Sequence, residues 1–123
     1  MKTIHRRPVD FTDLAHMVRE HYPFTADSHP NLPRDGGNPC DAVMPEAVIQ
    51  HCLNHLVKSS IGPIAAALEA HDHGAALDQY KLIEAMAKGL INFQKMAETM
   101  GISLDEVLAV TPEAMGVKVA DMA

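Results

Sequence analysis

The strongest constraint on the fold is one stretch, Leu77 to Val110, which reads as a long helix, a glycine stop and a second, shorter helix. Within it Ile83, Met86, Leu90, Phe93, Ala97 and Met100 recur at steps of three and four, the spacing that lays side chains on one face of an α-helix. Leu82, Gly89 and Met96 form a second row beside the first. The combined apolar band predicts a helix buried on more than one side, as in the middle of a bundle. Lys81, Glu84, Lys88, Asn92 and Lys95 are left for the wet face. Gly101 stops the long helix. Ser103 and Glu106 then form a capping box for a last helix of about two turns, ended or redirected by Thr111-Pro112.

The chain ahead of this stretch reads as two further helical regions around a long loop. Residues 1–9 are an extended lead-in, because Pro8 discourages helix just before it. Asp10 caps a first helix with a stripe of Phe11, Leu14, Ala15, Val18 and Tyr22, and Pro23 ends it. Residues 23–44 hold four prolines, Gly36 and Gly37 without any period, a loop long enough to be functional or mobile. His29, Arg34, Asp35 and Asp41 are placed there to reach over a pocket formed by the helices. Pro45 opens the next helix, whose stripe is Val48, Ile49, Cys52, Leu53, Leu56 and Val57. Gly62-Pro63 either kinks that helix or starts a new one, and Ile64, Ala65 and Leu68 carry an apolar face on to Ala70. His71-Asp72-His73-Gly74 closes it, and residues 111–123 form a weakly patterned tail.

Aromatic residues are only 4% of the 123 and Trp is absent, so the core must be Leu, Ile, Val, Met and Ala, which favours packed helices over a β-sandwich. The expected fold is all-α, a bundle of four or five helices in one domain spanning 1–123. A formal net charge of -6 argues against broad binding to nucleic-acid backbones, and the only basic cluster is Lys2, His5, Arg6 and Arg7. No apolar run approaches the roughly 18 residues of a membrane span. Two cysteines, Cys40 and Cys52, are too few for a disulfide framework. With no signal-peptide pattern, these features point to a cytoplasmic protein that does not enter a membrane. The two apolar rows of the long helix are more than so small a chain has elements to cover, which predicts a homodimer or higher oligomer.

Two features have metal-like spacing. His51 and His55 are an i,i+4 pair able to bite a transition metal such as Zn²⁺. Cys52 stands where the catalytic zinc-helix motif needs Glu. His71 and His73 form a second pair at a helix end. Ser59 and Ser60 have no nucleophile-elbow motif, and neither a phosphate-binding glycine loop nor a CxxC is present.

One resemblance is carried by two stretches. Leu56-Val-Lys-Ser-Ser-Ile-Gly-Pro-Ile-Ala-Ala-Ala-Leu68 is similar to the first motif helix of the MazG-like nucleoside triphosphate pyrophosphohydrolases. Ile83 to Phe93, followed by Met96 to Val107 with its Gly-Ile-Ser-Leu-Asp-Glu-Val ending, resembles their second. The resemblance implies a helical hairpin core, homodimers, and Mg²⁺ held by acidic side chains from both helices. Hard cations of this kind need oxygen ligands. Matched position by position, the acids of the first helix fall on Ser59, Ser60 and Pro63. In the second only Glu84 survives, beside Ala85, with Lys88 where an Asp is expected.

The expected function is therefore that of a diverged, non-catalytic MazG-like protein, working through protein contacts or by binding a nucleotide. Lys58, Lys88, Asn92 and Arg34 would meet the phosphates, near Glu84. No cofactor is required. The alternatives are an active pyrophosphohydrolase whose Mg²⁺ or Zn²⁺ ligands have moved to the histidines or the loop acids, and an unrelated helical regulatory or interaction module.

Overall fold

The computed structural model describes residues 7–23, 29, 31–33 and 43–119, and among these the fold is all-α. The elements are α1 (Phe11–His21), α2 (Pro45–Leu56), a π-helical turn (Val57–Ile61), α3 (Gly62–Asp72), α4 (Gln79–Thr99) and α5 (Leu104–Ala114). Because α2, the π turn and α3 run on without a break, the described residues form four rods. The Gly36-Gly37 region with Arg34, Asp35, Cys40 and Asp41 lies outside the described residues, as do Lys2, His5, Arg6 and positions 120–123.

Local chemistry accounts for the helix starts. Asp10 accepts from the Asp13 N–H at 2.8 Å while Asp13 reaches back to the Asp10 N–H at 3.2 Å, a reciprocal cap on α1. Pro45 sits in the first turn of α2, where its missing donor costs nothing. Leu77 stays outside α4, whose first residue is Gln79, because Asp78 caps the helix by accepting from Lys81 N–H. Ser103 accepts from Glu106 N–H and starts α5 as expected. Gly101, at φ 75°, supplies the left-handed residue that ends α4.

The two inner prolines behave differently from a simple stop. α3 starts at Gly62 with Pro63 in its first turn, one of the two expected outcomes, but the backbone does not leave the helix there. One extra residue is absorbed just before it, with Gly62 N–H donating to Val57 O, the i to i−5 bond of a π turn. Nor does α5 stop at Thr111-Pro112. It runs to Ala114, and the Thr111 hydroxyl donates to Leu108 O at 2.7 Å, satisfying the carbonyl that Pro112 cannot serve.

The core is small. Val43, Val48 and Cys52 form its centre, with Leu32, Ala47 and Met96 packed around them. Leu56, Ala85 and Ala97 are buried too, as are Val18 from α1 and Leu104 from α5. The α2 rod lies against α4 through short side chains. A Cβ built on Gly89 would come within 2.9 Å of Ser60 Oγ and 3.5 Å of Leu56 Cδ1, so the absence of a side chain at 89 sets how closely the rods approach. The π turn aims Ser60 into this seam, where it is buried.

The long helix is not buried as its pattern predicts. Ala85, Gly89 and Met96 face the core, in and beside the second row. Of the first row, Ala97 is buried, but Ile83, Met86, Leu90, Phe93 and Met100 are 47–62% exposed. The expected wet face is also only partly wet, because Asn92 is buried and Lys95 is half-buried. Periodicity sorts residues onto faces without saying which face a neighbour covers. Here the small residues win, because they allow the closer approach.

Candidate functional site

On one side of the seam between α2 and α4 lies a cleft of about 340 Å³. From α2 and the π turn it receives His51, His55 and Ser59, at successive steps of four along one face. From α4 come Lys88, Ile91, Asn92 and Lys95. Tyr22 at the end of α1 and His29 from the loop complete the wall. No carboxylate lines the cleft among the described residues.

The three histidines touch in a short series. The His51 and His55 ring centroids are 4.5 Å apart, and His29 meets His51 edge-on at 4.9 Å. Burial pushes the His51 pKa below its ordinary value, and the neighbouring His55, His29 and Lys95 lower it further. Lys95 places its ammonium 4.8 Å from the centre of the Tyr22 ring, a cation–π contact. Burial lowers its pKa as well, with the adjacent Cys52 acting in the opposite sense. Cys52 is fully buried, and burial raises its thiol pKa, so it packs as a small apolar group rather than presenting a thiolate. Asn92 is anchored by its side-chain N–H donating to Lys88 O at 2.9 Å.

The expected site is brought together in part. Lys88 and Asn92 line the cleft, whereas Lys58 and Glu84 do not. Glu84 instead faces Lys88 at 3.7 Å as an exposed i,i+4 ion pair, worth only a few tenths of a kcal/mol. Lys58 is exposed on the π turn, and Arg34 lies outside the described residues. Ser59, at a position where the resemblance calls for an acid, does point into the cleft, and Ser60 points into the seam.

The cleft also needs Tyr22, Ile91 and Lys95, which the sequence reading did not select as site residues, and His29, which it placed in the loop over a pocket formed by the helices. Lys95 carried a usable signal, since Lys88, Asn92 and Lys95 follow the four-then-three spacing of one face. Tyr22 arrives through tertiary packing that no local pattern announces.

Among the described residues no group of three or more His, Cys, Asp or Glu side chains is arranged to hold an ion. His71 and His73 are exposed at the end of α3, and each has its Nδ1 at 2.9 Å from a backbone carbonyl oxygen, of Ala75 and Glu69 respectively. They bond to backbone around the helix terminus, where the last carbonyls lack helical partners.

Set against known protein families, curated proteins and solved structures, the chain matches none of them. Among the described residues no helix is long and apolar enough to cross a membrane.

Proposed function

We propose that this chain is a diverged, non-catalytic relative of the MazG-like proteins that binds the phosphate end of a nucleotide in the α2–α4 cleft without a metal. The observation that carries this reading is the character of the cleft wall. It holds two lysines, three histidines, an amide and the hydroxyls of Ser59 and Tyr22, with no carboxylate among the described residues. A phosphate chain needs donors and positive charge, and this wall provides both. Lys88 and Lys95 supply point charges, while Ser59 and the imidazoles supply directed donors. The volume is at the small end for ligand pockets, so it suits the phosphates better than a whole nucleotide, with the base lying outside.

Hydrolysis is not part of the proposal. Activation of water in the MazG manner requires a carboxylate cage for Mg²⁺. Only Glu84 stands at a matching position, and it lies outside the cleft, paired with Lys88. Self-association belongs to the same reading, through the exposed Leu53, Val57, Ile83, Met86 and Phe93 on the other side of the α2–α4 pair.

Calorimetric titration with a panel of nucleoside triphosphates, with and without EDTA, tests the proposal. Saturable binding that EDTA leaves unchanged and added salt weakens is the expected outcome. Metal-dependent release of pyrophosphate would overturn it, as would silence at about millimolar ligand, an affinity near −4 kcal/mol.

A further inference from the structure

We infer that a second pocket, at the C-terminal end of α4, binds the amino terminus of a peptide whose first residue is apolar. The pocket is a cavity of about 430 Å³. One face of α1, carrying Phe11, Ala15 and Arg19 at steps of four, bounds it together with the last turns of α4 and the first turn of α5. It shares no lining residue with the cleft, so the inference does not depend on what the cleft binds.

The residue that points to a ligand is Gln94. It lines the cavity and is only 3% exposed, yet among the described residues its amide makes no hydrogen bond. Asn92, the other buried amide of α4, is anchored on the Lys88 carbonyl. Among the described residues no buried side-chain nitrogen or oxygen is sealed off without a partner, so the Gln94 amide opens into the cavity. Helix packing at so buried a position calls for an apolar residue, and an amide with no partner there is costly. A ligand that takes both its N–H and its C=O removes that cost.

The surrounding charges select the ligand. α1 presents His16 and Arg19, α4 presents Glu98, and α5 presents Asp105 and Glu106. Arg19 and Glu98 neutralise each other at 2.6 Å. Asp105 and Glu106 form no ion pair among the described residues, so they set the potential, which repels anions and attracts a cation. The carboxylates are not arranged to hold a metal ion. A primary ammonium, which needs acceptors rather than a coordination shell, suits them. An ammonium beside an amide meets both demands at once, the charge pairing with Asp105 and Glu106 while the amide meets Gln94. The amino end of a peptide carries those two groups side by side. Room for its side chain lies next door. The cavity shares Phe11 and Asp105 with a groove of about 460 Å³ that Val9, Leu14 and Leu90 also line. An apolar first side chain lies in this groove and the peptide continues along it, which favours a peptide over a free amine.

Titration of the labelled full chain with leucyl-leucine amide, followed by NMR, tests the inference. Saturable shifts are expected at the Gln94 side-chain amide and at the backbone of Ile102, Asp105 and Glu106. Isocaproyl-leucine amide, which lacks only the ammonium, should bind about tenfold more weakly. Gln94→Leu removes the buried amide, and Glu106→Gln removes a charge while keeping a residue type that suits the start of α5. Each should weaken leucyl-leucine amide about tenfold, with helix content by circular dichroism unchanged. No saturable shift up to about 10 mM peptide overturns the inference. So does equal binding of the isocaproyl analogue, or a helical Gln94→Leu or Glu106→Gln variant that binds like the wild type. Leucinamide that binds as tightly as the dipeptide amide overturns the assignment to a peptide.

Discussion

The two sides of the α2–α4 pair are built from the same helices, turn by turn, and have opposite chemistry. One side carries His51, His55, Ser59, Lys88, Asn92 and Lys95 around a cleft. The other carries Leu53, Val57, Ile83, Met86 and Phe93 on an open face. Between them runs a narrow seam of Cys52, Leu56, Ser60, Ala85 and Gly89. The difference teaches that the seam, rather than a large core, organises this molecule. The close approach of small residues gives each rod two free flanks, one specialised for polar ligands and the other for apolar contact.

The largest expected effect comes from forcing the seam open. Gly89→Leu drives a side chain into Ser60 and Leu56, and overpacking of this kind costs about 1–3 kcal/mol. Chemical denaturation should show the loss, and both flanks should fail together, with ligand binding and self-association weakened at once. If only one flank responds, the two are not organised by a common seam.

The cleft side can be broken alone. Lys95→Gln keeps most of the chain length over Tyr22 but removes the charge, and should weaken triphosphate binding about tenfold, or roughly 1.4 kcal/mol. Its sedimentation should be unchanged, because residue 95 does not lie on the apolar face.

A pH series sharpens the same contrast with a smaller signal. His51 has a folded pKa below its unfolded value of about 6.5. As pH falls through the unfolded value, the unfolded chain takes up a proton that the folded chain resists, so stability is present above that pH and is lost on going down towards the folded pKa. The thermal midpoint should drop across this window, and less so in His51→Gln. Bound triphosphate favours the imidazolium and should reduce the drop, whereas dissociation of copies has no reason to follow it.

The smallest effect belongs to Glu84. Its exposed pair with Lys88 is worth only a few tenths of a kcal/mol, so Glu84→Ala should barely change stability. It should strengthen anion binding slightly by releasing Lys88. Loss of binding in that variant would point back to a metal held at Glu84.

Most of the helices were legible in the sequence because their starts are written in short-range chemistry. Asp10, Pro45 and Ser103 act where the pattern puts them. The seam was not legible. A hydrophobic period marks Met86 and Phe93 as more apolar than Ala85 and Gly89, yet the smaller residues are the buried ones. What decides is the fit of Ser60 against Gly89, and that depends on a π turn which no propensity signals. The cleft was half legible for a similar reason. Lys88 and Asn92 follow from helical position and His29 from the loop expected over the helices, while Tyr22 is delivered by the end of α1.

The two-sided account is tested most directly by backbone amide NMR of the labelled chain titrated with inorganic triphosphate in EDTA. The account predicts shifts that saturate at His51, His55, Ser59, Lys88, Asn92 and Lys95, with Leu53, Val57, Met86 and Phe93 left in place. Shifts centred on the apolar face, or none at all, would contradict it.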